Sequence, residues 1–397
     1  MTVADRQLAQ DLTSIGISVD GITGTGADTV FEMEIGTNRP DAMNHYGVAR
    51  EASAFYNISL RSISMPAPAS PAGGFSIQID DPEGCARYTA QIIEGVKITR
   101  SPGAISRRLA LVGQRPINSA ADASNYTLWE MGQPTHAFDL DLLQGGKIVV
   151  RRARIGEALK TLDGVDRKLS PDDLIIADAD RPVALAGVMG GFDTMITDST
   201  RNILIESAWF DPVAVRRTAK RHGLHTDASH RFERGADYGA TPLACALVAR
   251  RILDSGSGKL KGITDAIARE IDQAPVVLRL SYAQRILGQS LDPGELTAIL
   301  QRLGFDLVPE PGSEPSFSVR IPTWRLDVER EIDLIEELAR LHGYNRFPNT
   351  LPAFAGTVVR SLAALKESKL RSSLFSLGYN EAVSLSFISH EDAERYS

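Results

Sequence analysis

The residues from Arg216 to Asp237, RRTAKRHGLHTDASHRFERGAD, hold six Arg or Lys and three His within 22 positions of a chain whose formal net charge is -7. A cationic patch on an acidic protein suits a focused anionic partner better than general adhesion. Thr226, Asp227 and Ser229 put hydroxyls and a carboxylate beside His225 and His230, a mix able to hold a polar ligand or a water. The plainer alternative is a solvated basic helix end neutralised by Glu233 and Asp237. His222, His225 and His230 lack the carboxylate or thiolate set that usually completes a metal site, so the segment is expected to be metal-free. A second group is acidic. Asp333, Glu336 and Glu337 fall at i, i+3 and i+4 on one helix face with Asp327 just before it, and four oxygen donors suit Mg²⁺. Against that, Ile332, Ile335 and Leu338 form the buried stripe of the same helix, which leaves the acids on an ordinary solvated face.

These groups need elements to hold them. Val213, Val215, Thr218 and Ala219 give a short apolar helix face over 211 to 222 that Gly223 ends, and a loop is expected from there to Asp237. Upstream, Leu8, Leu12 and Ile15 mark a helix stopped by Gly16, Val30 to Ile35 alternates as a strand, and a helix carries Val48, Ala52 and Phe55. The same order returns later, with a helix at 297 to 304, a strand at 316 to 321 and a helix after it. Aligned on Thr37 and Thr323, the two copies match at Arg39 with Arg325, Asp41 with Asp327, and Glu51 with Glu337, an internal repeat. Between the copies, a Pro/Ala/Ser/Gly linker at 62 to 74 leads into strands at 75 to 79, 88 to 93, 147 to 151, 174 to 176 and 203 to 205. Helices are expected at 103 to 113, 211 to 222 and 240 to 255. This order predicts an α/β (α+β) chain of several domains with a central mixed sheet. Asp292, Pro293 and Glu295 read as a capping-box helix start.

A length of 397 residues allows two to four domains, and 43% hydrophobic with 23% charged residues is ordinary for a soluble globular protein. No run approaches the roughly 18 apolar residues of a membrane span, and MTVADRQLAQ is too polar for a signal peptide, so a cytoplasmic protein without a membrane role is expected. Cys85 and Cys245 cannot build a disulfide framework, and no CxxC pair is present.

Three strings taken together, SNYTLWEMGQPTHAFD at 124 to 139, VALAGVMGG at 183 to 191, and ILIESAWFDP through RHGLHTDASHRFERGAD at 203 to 237, resemble the bacterial-type phenylalanine-tRNA ligase (phenylalanyl-tRNA synthetase) β subunit. The resemblance implies the following. Residues 75–270 would be an editing domain that hydrolyses mischarged Tyr-tRNA(Phe), flanked by winged-helix-like units at 1–60 and 271–350, with 351–397 opening a catalytic-like domain. The editing pocket would use His136 and Thr226 to position the ester or the attacking water, and Glu206, Gly190, Ala228, Asn125 and Ser124 to hold the substrate. Mg²⁺ would sit at Asp327, Asp333, Glu336 and Glu337. Tyrosine exceeds phenylalanine by one hydroxyl, which a second site that rewards the hydroxyl can discriminate by roughly four to five orders of magnitude. Glu206 would be the phenol's charged acceptor, Gly190 would leave volume, and amides near Gly190 and Gly191 would support an oxyanion. No Ser-His-Asp set is recognisable, so direct attack by water is expected.

The resemblance also implies an α-subunit partner in an α2β2 assembly, tRNA(Phe) as substrate, and ATP only through that α subunit. The chain departs from the family's pattern in two places. About ten residues separate Ile22 from Glu32 where the family carries an inserted OB-type tRNA-binding domain, and the family continues past Ser397. A fragment, a trimmed chain or a shortened subunit is therefore expected. A free-standing Tyr-tRNA hydrolase and a non-enzymatic nucleic-acid-binding scaffold are the alternatives. Hydrolysis by the isolated chain and co-purification with an α subunit separate the three.

Overall fold

The computed structural model describes residues 3–63, 75–351, 353, 356 and 359–396. Most of the expected linker at 62 to 74 lies outside the described residues. Two compact units result, Met1–Phe347 and Pro348–Ser397.

The first unit begins with α1 (Asp5–Ser14), the hairpin of β1 (Ser18–Thr23) and β2 (Val30–Glu34), and α2 (His45–Tyr56). Gly16 adopts φ +95°, a left-handed turn that ends α1 where the pattern placed its stop. The expected repeat unit of helix, strand and helix gains a second strand here. Ser18–Thr23 is half-exposed throughout, so its burial alternation is too weak to read as a strand.

The middle of the chain supplies β3 (Ser76–Ile79), β4 (Cys85–Glu94), α3 (Gly103–Leu111), α4 (Ser119–Met131), β5 (Thr135–Asp139) and β6 (Lys147–Arg152). A small hairpin, β7 (Ala158–Lys160) and β8 (Asp166–Lys168), precedes β9 (Leu174–Ala177), β10 (Pro182–Leu185), β11 (Met189–Gly190) and β12 (Ile203–Phe210). Then come α5 (Pro212–Arg221), α6 (Asp227–Phe232), α7 (Thr241–Ser255) and β13 (Lys259–Ile267). Two sheets form, ordered β11-β10-β9-β6-β3 and β13-β4-β12-β5. Only β3 with β6 runs parallel; every other pairing in the two sheets is antiparallel, so the mixed order is realised.

Side chains of both sheets meet in one core, with Tyr88, Phe138 and Leu204 from one and Ile148, Ile176 and Leu185 from the other. The far face of the four-stranded sheet is covered by α4 and α7, through Ala120, Ala123, Val248 and Ile252 packed on Ile93, Ile203 and Ile205. Every residue of β12 is therefore buried. A strand covered on both faces reads as a continuous apolar run, and in ILIESAWF the exceptions to that run are Glu206 and Ser207.

The unit closes with β14 (Val276–Arg279), α8 (Leu280–Leu287), α9 (Pro293–Arg302), β15 (Asp306–Pro309), β16 (Ser316–Arg320) and α10 (Glu331–His342). Asp292 caps α9 by accepting from the Glu295 amide at 3.1 Å, which is the expected helix start without its reciprocal half.

The two repeats are joined by buried ion pairs. Arg39 donates to Asp41 at 2.9 Å and to Glu51 at 2.5 Å, and Arg325 donates to Asp327 at 2.8 Å and to Glu337 at 2.5 Å. Arg340 then bridges the copies, reaching Glu51 at 2.6 Å and Glu337 at 2.5 Å. The second unit holds α11 (Leu362–Ser376) and α12 (His390–Tyr396), neither of which buries a residue.

Candidate functional site

One cavity of about 300 Å³ is lined by Ser124, Asn125, His136, Gly190, Glu206, Thr226 and Ala228, all seven substrate-pocket residues named from the sequence. Residues of α4, β5, β9, β10, β11, β12 and α6 converge on it. Asn118 caps α4 through the amides of Ala120 and Ala121, and Gly132 ends the helix at φ +83°, which sets Ser124 and Asn125 on its pocket side. His136 and Glu206 are directly opposed across β5 and β12, one face of the sheet presenting both to the cavity. Thr226 is the N-cap of α6, with Ala228 in the first turn of that helix.

The geometry alters several expected roles. A Cβ on Gly190 would lie 2.4 Å from His136 Cε1 and 2.5 Å from Nε2, so the glycine makes room for the imidazole itself. The Gly191 amide donates to Val183 O at 2.8 Å and is spent on the sheet, which removes it as an oxyanion donor. Thr226 Oγ1 donates to Val188 O at 2.9 Å and accepts from the Ser229 amide at 3.0 Å. Its proton is therefore committed to the fold, and what remains for a ligand is acceptor capacity. Where a loop was expected between Gly223 and Asp237, the Thr226–Ser229 capping box starts a helix.

The two ionisable groups at the back of the cavity are held neutral at pH 7. Burial pushes the Glu206 carboxyl up to about 8, with no cation beside it to offset the cost, and burial pushes His136 down to about 4. The expected charged acceptor is thus a carboxylic acid, able to donate from its O–H and accept at its carbonyl. His136 stacks edge-to-face on Phe138 with centroids 4.5 Å apart, and its Nε2 is buried without a protein hydrogen-bond partner. Ser124 Oγ and Thr135 Oγ1 are likewise buried and unpartnered. Buried polar atoms in native proteins are nearly always satisfied, so three such atoms around one cavity mark a place built for a polar ligand.

Thr135 and Met189 also line the cavity and were not singled out from the sequence. Thr135 had a signal available in its neighbour His136. Asp227, read from the sequence among the polar groups beside His225 and His230, lines the cavity too and accepts from Gln114, 113 residues away, at 2.7 Å.

The acidic group behaves differently from the cavity. Asp327 is bound through both oxygens by Arg325, and Glu337 is bound through both by Arg340 with Arg325 added. Against the opposing effect of burial, these guanidiniums hold Glu337 well below the usual carboxylate range. Asp333 accepts from the backbone amides of Glu329 and Arg330, and Glu336 is exposed. The four carboxylates do not converge, and the donor set as arranged does not fit a Mg²⁺ centre. Among the described residues one group of three or more His, Cys, Asp or Glu side chains brings its donor atoms together, and it is His225, His230 and Glu233.

A family model described as the B3/4 domain matches residues 84–256, the two-sheet region that houses the cavity. A second, described as the tRNA synthetase B5 domain, matches residues 276–344. Over 375 residues, 92% of its own length, the chain is 44% identical to a protein named phenylalanine–tRNA ligase beta subunit from Anaeromyxobacter dehalogenans. It is a homologue of the phenylalanine–tRNA ligase beta subunits. A second relative of the same name, from Geobacter metallireducens, is 42% identical over 91% of the chain. The chain spans 46% and 45% of the lengths of these two relatives. A solved N-terminal fragment of the phenylalanyl-tRNA synthetase beta subunit from Pyrococcus horikoshii aligns over 86% of this chain and 95% of its own, at 14% identity and a TM-score of 0.47. Among the described residues no helix is long and apolar enough to cross a membrane.

Proposed function

We propose that the cavity is an editing site that hydrolyses Tyr-tRNA(Phe), within a β subunit that supports charging of tRNA(Phe) by an α subunit carrying the ATP chemistry. The observation that supports this most directly is the opposition of a neutral Glu206 and a neutral His136 across one sheet face, in a cavity whose polar atoms lack protein partners. A carboxylic acid can exchange two hydrogen bonds with a phenol, donating to its oxygen and accepting its proton. Phenylalanine offers neither, and leaves the acid unpaired at a cost of about 1–3 kcal/mol. Neutral His136 offers a bare ring nitrogen that can accept a hydrogen bond from an attacking water and position it; with a value of about 4 it is a weak base at pH 7, so its role is positioning. Ser124, Asn125 and Thr226 line the same cavity and are the groups we assign to the ribose ester and its acyl group, and no side-chain nucleophile is needed.

A deacylation assay with both charged tRNAs tests the reading, run on the chain alone and with an α subunit. Glu206→Ala should slow Tyr-tRNA hydrolysis about tenfold, equivalent to about 1.4 kcal/mol, while leaving action on Phe-tRNA unchanged or raised. Equal loss on both esters would place Glu206 in the fold or the reaction centre and end its assignment to specificity.

A further inference from the structure

Three side chains on α6 and its ends take no part in the cavity. His225 precedes the N-cap, His230 lies in the last turn, and Glu233 is the C-cap residue. One ring nitrogen from each histidine and one carboxylate oxygen lie within 4.8 Å of one another. The two imidazoles meet edge-to-face with centroids 5.3 Å apart, and His230 Nδ1 is buried without a protein hydrogen-bond partner. Glu233 Oε1 accepts from Arg234 at 2.5 Å, which leaves Oε2. The sequence pattern suggests no metal here because His222, His225 and His230 lack a completing carboxylate or thiolate set and Glu233 reads as a neutralising partner of the basic helix end. The structure removes His222, which pairs with Asp173 at 2.8 Å, and supplies Glu233 in its place.

We propose that His225, His230 and Glu233 form a binding site for a divalent transition-metal cation of the Zn²⁺ class, with water completing the coordination. Two imidazole nitrogens and one carboxylate oxygen are the donors such an ion takes at about 2.0–2.2 Å, whereas Mg²⁺ prefers an all-oxygen shell. Closing the set onto one ion draws the donors together by about an ångström from their present limits, and the exposed His225 side chain can supply that movement. Arg234 on the Glu233 carboxylate and Arg216, which donates to Glu233 O at 3.1 Å, oppose a cation, so the site is reversible rather than structural. Bound metal ties the residue before the N-cap to the C-cap, bracing a six-residue helix too short to hold itself. Because Thr226 and Ala228 of the same segment line the cavity, the brace acts on the cavity wall; this last consequence rests on the editing reading, and metal binding does not.

The full chain, stripped with a chelator and desalted, is titrated calorimetrically with ZnCl₂ alone and, separately, with MgCl₂. One saturable Zn²⁺ per chain is expected, no comparable Mg²⁺ binding, and at least a tenfold loss of Zn²⁺ affinity in Glu233→Gln and in the double variant His225→Ala/His230→Ala. His225→Ala alone, at an exposed position, tests the site with least risk to folding, which circular dichroism verifies for each variant. Absence of saturable Zn²⁺ binding, or binding that survives unchanged in His225→Ala and the double variant, overturns the proposal. No tRNA enters the experiment, so its failure leaves the editing reading intact, and failure of editing leaves this site intact.

Discussion

Two interior regions bury the same kinds of side chain and treat them in opposite ways. At the junction of the repeats, Glu51, Glu337 and Asp41 are out of solvent and Asp327 is half-buried, yet all four are ion-paired to arginines at 2.5 to 2.9 Å. In the cavity, Glu206 is 5% exposed and has no such partner. Pairing holds Glu337 charged against the cost of its burial; isolation makes Glu206 surrender its charge. The difference teaches that burial alone does not set ionisation. Where a cation is built in, the acid is part of the fold, and where none is supplied, the acid is left uncommitted for a ligand.

The contrast is sharpest if one partner is removed from the paired side. Arg325→Met should strand Asp327, leave Glu337 to Arg340 alone and destabilise the chain by about 3–5 kcal/mol, read as a lower midpoint in chemical denaturation. A loss under about 1 kcal/mol would mean that the junction tolerates unpaired acids and would erase the distinction.

A smaller effect is expected from the unpaired side, and its sign is opposite. Glu206 keeps its proton in the folded chain up to about pH 8 but loses it near the ordinary Glu value when unfolded. Its contribution to stability is therefore full at low pH and is lost as pH rises from about 4.5 to 8. Glu206→Gln removes that loss, so the variant should gain about 2–4 kcal/mol relative to the parent between pH 5 and 8. His136 acts the other way, its depressed value costing stability as pH falls from about 6.5 to 4, and subtracting parent from variant cancels it. Parallel stability curves for the two chains would show that Glu206 is charged in the fold.

Gly190→Ala gives the smallest effect. The added methyl should displace the His136 ring and reduce hydrolysis of both esters about tenfold without a comparable loss of stability. A variant that lost selectivity but kept its rate would instead place Gly190 against the side chain of the substrate.

Much of the scaffold was legible because its signals are local. The stop at Gly16, the Pro212–Arg221 helix ended by Gly223, and the cap at Asp292 each depend on residues within one turn. The repeat was legible from the matched spacing of Arg, Asp and Glu. Its meaning was not, since the ion pair that explains it joins Arg340 to Glu51, 289 positions away. The strand carrying His136 and the helix carrying Ser124 went unread even though Asn118 and Gly132 bracket that helix as cap and stop. The His136 strand is a short segment that only its neighbour β12 makes into sheet. The placement of seven residues around one cavity came from the resemblance. No local pattern announces that Gly190 yields its space to His136, or that Glu206 lacks a cation.

The repeat carries one further implication in its mismatches. A faithful duplication would set two arginines against four carboxylates in a shared interior, two charges short of balance. The deficit is made up at sites where the copies disagree. Arg340 stands where the first copy has Ala54, and Arg50, 3.9 Å from Asp41 and stacked 4.3 Å over Trp324, stands where the second has Glu336. Arg340 thus reaches across to Glu51 of the first half, whereas Arg50 serves Asp41 within its own half and meets the second through Trp324. The charge balance of the junction therefore rests on positions where the copies diverge, with Arg340 the residue that carries it across.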